Sequence, residues 1–158
     1  MLVQLNRTEN NRRPTPTATD LPLAGVAPQP SGPVVAIFGQ LGRVAGLTAQ
    51  LPSGWSTRQP RDIDDVRPEE IVLFTRATVT EVTTARAVLP RQARIVALVD
   101  GDAPAELVAG VLTAGADACV RGGPAAILAS HLVACRRRQL SEHWAGVEAG
   151  LEAALPRL

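Results

Sequence analysis

Continuous apolar runs alternate with segments of helical periodicity from residue 34 onwards. The first run, Val34 to Phe38, contains no polar position, and similar runs occupy Ile71 to Phe74 and Arg94 to Val99. Strands that are apolar on successive residues are typical of a parallel sheet covered by helices on both faces. Shorter strands are predicted at Trp55 to Arg58 and at Ala118 to Val120.

The segments between these strands carry apolar residues at helical spacing. They predict helices over Leu41 to Leu51, Val79 to Leu89 and Pro104 to Ala114, and a last helix that has Pro124 at its first position and runs at least to Arg138. Strands that alternate with helices in this way predict one α/β domain with a doubly wound, five-stranded parallel sheet.

Two further segments flank this domain of residues 34–138. Residues 1–33 contain six prolines, which remove backbone donors, and this segment is predicted to be a disordered tail. Residues 139–158 predict an additional C-terminal amphipathic helix, because five apolar residues fall on one face. A second subunit, another protein or the domain itself must cover this stripe, which consists of Leu140, Trp144, Val147, Leu151 and Leu155.

The composition excludes several kinds of chemistry. All sixteen basic side chains are Arg, and the chain contains no Lys and no Tyr. A Walker phosphate loop, a Schiff-base enzyme and a Tyr-Lys reductase therefore cannot be built from it. The formal net charge of +1 gives no global attraction to nucleic acid or to an anionic membrane.

The sequence also predicts where the protein works. No signal peptide and no apolar run of membrane-spanning length is recognisable, so we expect a protein without membrane contact. Cys119 and Cys135 lie in apolar surroundings and are predicted to be free thiols in a reducing cytoplasm.

The stretch from Ala114 to Gly122, Ala-Gly-Ala-Asp-Ala-Cys-Val-Arg-Gly, resembles the junction of the fourth helix and fifth strand in response-regulator receiver domains. In order along the chain, Pro68 to Thr75 and Arg94 to Asp102 are similar to the third and fourth strands of that family. The likeness covers about residues 34 to 138, and its specific part is the Ala-Gly-Ala-Asp stretch. The resemblance implies a flavodoxin-like fold.

The same resemblance implies a phosphorylation pocket whose chemistry is missing. Receivers hold Mg²⁺ with acidic side chains after the first strand, attack phosphorus with an Asp after the third, and stabilise the phosphoryl group with a hydroxyl and a Lys. In this chain the corresponding positions form a degenerate pocket without predicted catalytic residues, metal or cofactor. Its members are Gly39, Gln40, Thr75, Val99, Asp100 and Arg121, with Phe74 as the alternative to Thr75 and Gly122 as the alternative to Arg121.

The conventional switch residue is also replaced, because the aromatic position of the fifth strand falls at Cys119. We therefore expect a phosphorylation-independent signalling module that acts by protein–protein contact and forms a homodimer. In the receiver family the fourth helix, fifth strand and last helix commonly mediate dimerisation. The corresponding predicted interface consists of Glu106, Val111, Arg121, His131, Arg136, Arg137 and Arg138, extended by Leu140, Trp144, Val147 and Leu151.

Two other functions stay open. The first is a sensor that binds a small molecule or nucleotide at the strand ends, near Gly39, Gln40, Thr75 and Asp100. The second is a transcriptional regulator that works with a DNA-binding partner. Direct binding of nucleic acid by the basic run that begins at Arg136 is not expected, because no helix-turn-helix accompanies it.

Three local patterns have simpler interpretations. Gly39, Gly42 and Gly46 are spaced imperfectly for a dinucleotide-binding turn, with Arg58 as a possible partner for a 2′-phosphate, and fit a tight strand-to-helix turn better. The acidic run from Asp62 to Glu70 favours a solvated face over a metal or a basic partner. His131 and Cys135 are separated by four positions but lack further ligands at convincing spacing.

Overall fold

The computed structural model describes residues 32–154. The predicted tail thus lies outside the described residues, apart from Gly32 and Pro33, and so does Leu155 of the predicted stripe. The strands are β1 (Val34–Phe38), β2 (Ser56–Arg58), β3 (Ile71–Phe74), β4 (Arg94–Val99) and β5 (Ala118–Arg121). The helices are α1 (Leu47–Gln50), α2 (Val79–Val88), α3 (Ala105–Thr113) and α4 (Ala125–Ala154), with 3-10 turns at Leu41–Val44 and Ile63–Asp65.

The five strands form one parallel sheet in the order β2-β1-β3-β4-β5. In β1, Ile37 is paired with Leu73 of β3, which in turn is paired with Val96 of β4. The strand order reverses between β1 and β3, which is the arrangement of flavodoxin-like doubly wound folds. The fold class predicted from the sequence is therefore confirmed.

The sheet separates two layers of hydrophobic core. Successive side chains of β3 point to opposite faces, so Leu73 packs in the layer beneath α1 and α4, with Leu47 and Leu132. Its neighbour Val72 packs beneath α2 and α3, with Val82. Both faces are covered, which explains why the central strands are apolar on every residue.

The predicted helix from Leu41 to Leu51 is wrong. The chain instead forms a 3-10 turn at Leu41–Val44, leaves helical geometry at Ala45 with ψ 130°, and starts the short α1 after Gly46. Gly46 has φ +81°, a left-handed conformation that glycine adopts without steric cost. The apolar spacing correctly predicted buried positions, since Val44, Leu47 and Leu51 are buried. These residues belong to two separate turns and not to one helix.

Helix α4 is continuous over 30 residues, with no break at the predicted segment boundary after Arg138. It begins one residue after Pro124, whose carbonyl accepts a hydrogen bond from the Ile127 N–H at 3.0 Å. The core-facing positions end at Gln139, and every residue from Leu140 to Ala154 is exposed. At 1.5 Å per residue these fifteen residues extend about 22 Å. We call residues 140–154 the overhang.

The overhang contains two glycines inside the helix, Gly146 and Gly150. A Cβ atom added at either position would meet nothing within 4 Å. Neither glycine is therefore required by a close contact with another of residues 32–154. Among the helices of residues 32–154, none is both long enough and apolar enough to cross a membrane.

Candidate functional site

The carboxyl edge of the sheet brings the predicted pocket residues together. Gly39 follows β1, Thr75 follows β3, Asp100 follows β4 and Arg121 ends β5, and these strands are neighbours in the sheet. The Val99 side chain does not line the pocket, because it is 2% exposed and belongs to the core beneath α2 and α3.

The Thr75 side chain is completely buried and joins the ends of β1 and β3. Its hydroxyl accepts a hydrogen bond from the Gln40 N–H at 2.8 Å and donates one to the Phe38 carbonyl at 3.2 Å. A Cβ atom at Gly39, where φ is +103°, would lie 2.5 Å from this hydroxyl. The Thr75 hydroxyl thus both donates to and accepts from the backbone, and no general base within residues 32–154 contacts it.

An ion pair spans the same edge. The Arg43 guanidinium, carried by the 3-10 turn after β1, donates to the carboxylate of Asp100 after β4. The side chains are 26% and 47% exposed, so solvent screens the attraction. The sequence reasoning missed Arg43, although it is the basic residue closest in sequence to Gly39. The carboxylate of Asp100 is therefore already paired with the positive charge of Arg43.

Residues 32–154 contain no group of three or more His, Cys, Asp or Glu side chains placed to hold a metal ion. The two cysteines are free thiols, with Cys135 buried and Cys119 half-buried. Burial raises the pKa of both thiols above the usual value, so they are mostly protonated near neutral pH.

We predict that Thr75→Val lowers the free energy of unfolding by about 1 kcal/mol, because the isosteric side chain removes two hydrogen bonds. Thr75→Ser should recover most of the loss, since serine keeps the hydroxyl. Urea denaturation measures the effect, and Thr84→Val, on the exposed face of α2, is the matched control. Equal losses in Thr75→Val and Thr84→Val would show that the hydroxyl does not join the strands.

The Asp of the Ala-Gly-Ala-Asp stretch lies at the opposite, amino edge of the sheet. Asp117 accepts hydrogen bonds from the Ile95 N–H at 2.8 Å, from Arg94 at 2.6 Å and from Arg86 at 3.1 Å. Arg86 also donates to the carbonyls of Gly115 and Ala93. The most specific part of the resemblance is therefore a structural clamp between α2, β4 and β5.

A second clamp fixes the lead into β3. Glu70 is 2% exposed and accepts a bidentate pair of hydrogen bonds from Arg58 at 2.8 and 2.6 Å, and a third from the Arg67 N–H at 3.0 Å. Burial alone would raise the pKa of Glu70, but the bonds from Arg58 and Arg67 outweigh it and lower the pKa below its usual value. Glu70 therefore does not belong to a solvated acidic face, and Arg58 is engaged by it.

Gln139 links α4 to the loops at the amino edge of the sheet. It is 8% exposed, and its amide nitrogen donates to the carbonyls of Gln92 at 3.0 Å and Pro68 at 3.3 Å. Arg136 donates to the Gln139 side chain and to the Glu69 carbonyl. Sequence reasoning missed this residue, yet the signal was present, because Gln139 continues the core-facing spacing of Leu128, Leu132 and Cys135.

Beside Gln139 lies a groove of about 650 Å³. One wall consists of the loops that precede β3 and β4, including Pro68 and Arg91. The other wall is the start of the overhang, including Leu140, His143 and Val147. The groove was not predicted, because it exists only where α4 continues past the edge of the sheet.

The predicted interface residues do not form a single surface. Val111 cannot take part in an interface, because its side chain, on the inner face of α3, is completely buried. Arg136 reaches the loop before the central strand β3 and not the edge strand β5. Glu106 and Arg121 are exposed and His131 is half-buried, and Arg137 and Arg138 are exposed on α4.

The stripe residues of the overhang are exposed as large apolar side chains. Leu140 is 42% exposed, Trp144 64%, Val147 48% and Leu151 66%. Together they form a row along about three helical turns that nothing in residues 32–154 covers. Within residues 32–154 this row is therefore left exposed to solvent.

The fold, then, is that of the flavodoxin-like α/β proteins. A scan against protein-family models gave no match, and a search of curated proteins found no similar sequence.

Proposed function

We propose that this protein is a receiver-like regulatory module that acts by protein contact, independently of phosphorylation, and that it forms a homodimer through the overhang. The observation that carries the proposal is the exposed apolar row Leu140, Trp144, Val147 and Leu151. Burying such side chains against a partner is strongly favourable, whereas exposing them serves no purpose within the domain.

The carboxyl edge supports action without phosphoryl transfer. The receiver resemblance places the acceptor Asp at Thr75. The hydroxyl of Thr75 is hydrogen-bonded to two backbone groups. Two acidic side chains, Asp100 and the exposed Asp102, follow β4 at this edge, and Arg43 pairs with Asp100. A divalent ion needs several oxygen ligands free of such partners, and this arrangement does not offer them.

The edge strand β5 supports a second contact region. Because α3 packs on one face of the sheet and α4 on the other, β5 lies between them with Arg121 exposed at its end. Exposed charges on both sides of this strand, such as Glu106 and Arg138, suit specific recognition of a protein partner, since charged groups set specificity and association rate.

We expect the full chain to be a dimer and the chain cut after Gln139 to dimerise at least about a hundred-fold more weakly, because the cut removes four large apolar side chains from each copy and each contributes about 1.5–3 kcal/mol when buried. Sedimentation velocity over a range of concentrations measures both. A full-length variant with Asp102→Asn is the control, since the exposed Asp102 lies in the loop after β4, outside the predicted interface, and its change should leave the dimer through the overhang intact.

A full-length chain that sediments as a monomer at high micromolar concentration would contradict the homodimer. Labelling by acetyl phosphate, at Thr75 or at any Asp, would contradict independence from phosphorylation. The two results address separate parts of the proposal, so each can fail alone.

A further inference from the structure

The described chain begins beside the groove at the start of the overhang. β1 pairs with β3 at Val35 and Ile71, so the residues that precede these two lie at the same amino edge, on neighbouring strands about 4.8 Å apart. Pro68 and Glu69, which precede Ile71, line the groove. The described chain therefore begins, at Gly32, two strand spacings or about 10 Å from the groove wall.

The backbone at Gly32 packs against the turn that leads from α1 to β2. A Cβ atom at Gly32 would collide with the carbonyl of Gly54 in that turn. Leu47 of α1 and Leu132 of α4 pack in the same core layer. Residues 1–31 are thus attached to the domain at the amino edge, beside the layer from which the overhang extends.

An uncharged, mainly apolar segment occurs shortly before this point of attachment. Residues 21–26 read Leu-Pro-Leu-Ala-Gly-Val, and no charged side chain occurs from Leu21 to Pro33. Val26 and Gly32 are six residues apart, and six residues can span about 20 Å. This reach exceeds the distance to the groove wall, so residues 21–26 can enter the groove without any change in the sheet.

The charged side chains of the groove balance one another. The groove is lined by two arginines and two glutamates, Arg91, Arg136, Glu69 and Glu142. Glu142 is also paired with Arg94, and Arg136 donates to Gln139. Because the formal charges cancel and two of the four groups already have partners within the chain, the groove does not select a charged occupant. An uncharged segment can cover its apolar side chains without leaving a charge of its own unpaired.

We propose that residues 21–26 of the same chain occupy this groove, where Leu21, Leu23 and Val26 pack against Leu140 and Val147. The covalent link favours this occupant over a second copy of the chain. A segment joined through a short linker acts at an effective concentration in the millimolar range, whereas a second copy acts only at its own concentration in solution.

Docking of this segment has a consequence for self-association. Leu140 and Val147 belong both to the groove and to the apolar row of the proposed homodimer interface. The docked segment and a second copy therefore compete for these two side chains, and the segment limits dimerisation. The docking does not depend on the homodimer, and only this regulatory step rests on the proposed function.

Disulfide trapping tests the docking. Two full-length variants combine Leu23→Cys with either His143→Cys or Ser53→Cys, both with Cys119→Ser, while Cys135 stays in the core. His143 lines the groove, whereas Ser53 is exposed beside Gly54, close to the point of attachment. The His143→Cys variant should form its intramolecular disulfide about ten-fold faster, because docking brings the two Cα atoms within the limit of about 7 Å that a disulfide requires.

A segment that is tethered without docking would instead favour Ser53→Cys, which is nearer to Gly32. Equal rates, or faster closure with Ser53→Cys, would therefore overturn the docking. A disulfide that joins two chains, seen as a dimer on a non-reducing gel, would overturn docking within one chain.

Hydrogen exchange provides a second measurement without cysteines in the groove. At a concentration where the parent is monomeric, the amides of residues 140–147 should exchange several-fold faster in Leu21→Asp than in the parent, because the docked segment no longer stabilises the start of the overhang. Leu5→Asp, which makes the same charge change outside the segment, is the matched control. Unchanged exchange in Leu21→Asp would contradict the docking.

Sedimentation of the same variants tests the competition. Leu21→Asp should lower the dissociation constant of the dimer several-fold, and Leu5→Asp should leave it unchanged. Faster exchange without tighter dimerisation would contradict the competition alone. A parent that is monomeric at every concentration would contradict the homodimer, whereas the docking is judged by the disulfide and exchange results.

Discussion

Replacing Asp117 by alanine is expected to lower the free energy of unfolding by about 3 kcal/mol, because one carboxylate holds two arginines and a backbone N–H at the amino edge of the sheet. Arg94, with a side chain 13% exposed, loses its carboxylate partner at 2.6 Å and keeps the exposed Glu142 as its other partner. Arg86 loses the same partner at 3.1 Å. Breaking a fully buried pair costs about 3–5 kcal/mol, and partial exposure of this site places the loss near the lower limit.

The measurement is chemical denaturation followed by circular dichroism, with Asp102→Ala as the matched control. Asp102 is an exposed acid in the loop after β4, and its replacement should change the stability by no more than about 0.5 kcal/mol. If the Asp117 and Asp102 variants were equally stable, the clamp would have no part in holding α2 against β4 and β5.

Replacing Glu70 by glutamine should cost about 2 kcal/mol at neutral pH, because Arg58 loses a bidentate carboxylate partner at a site where Glu70 is 2% exposed. Glu69→Gln is the control, since the neighbouring side chain is exposed. A similar loss in both variants would contradict the assignment of the clamp to Glu70.

The cost of Glu70→Gln should also depend on pH in one direction. The pKa of Glu70 is lower in the folded protein than in the unfolded chain, so its ionised form stabilises the fold. That contribution is complete above the ordinary carboxyl pKa of about 4.3 and disappears as the pH falls through the lowered value. The difference between the parent and Glu70→Gln should therefore shrink on acidification, and a difference that grew would contradict the direction of the shift.

The strands were predictable because burial on both faces leaves a strong pattern. β3 and β4 occur at the predicted residues, since a parallel sheet covered by helices requires apolar side chains at every position. The prediction of the first helix was wrong because apolar spacing does not reveal where a helix is interrupted. Gly46, in left-handed geometry, divides the segment into a 3-10 turn and a four-residue helix.

The candidate site was predictable only in part. The carboxyl edge follows from the order of the strands, which is why Gly39, Thr75 and Asp100 were expected near one another. The Arg43–Asp100 pair joins residues 57 positions apart, and the Asp117 clamp joins residues up to 31 positions apart. Which side chains meet at such separations depends on the folded chain and is not encoded by a local sequence pattern. The groove depends in addition on α4 continuing beyond the sheet.

The glycines at positions 146 and 150 have a consequence for how the overhang exists in solution. Each costs an exposed helix about 1 kcal/mol relative to alanine, so four solvent-exposed turns are only marginally helical. Association through the apolar row would offset this cost, and helix formation and assembly would then be one event. The ellipticity at 222 nm would consequently rise with protein concentration, which makes helix content a direct gauge of self-association.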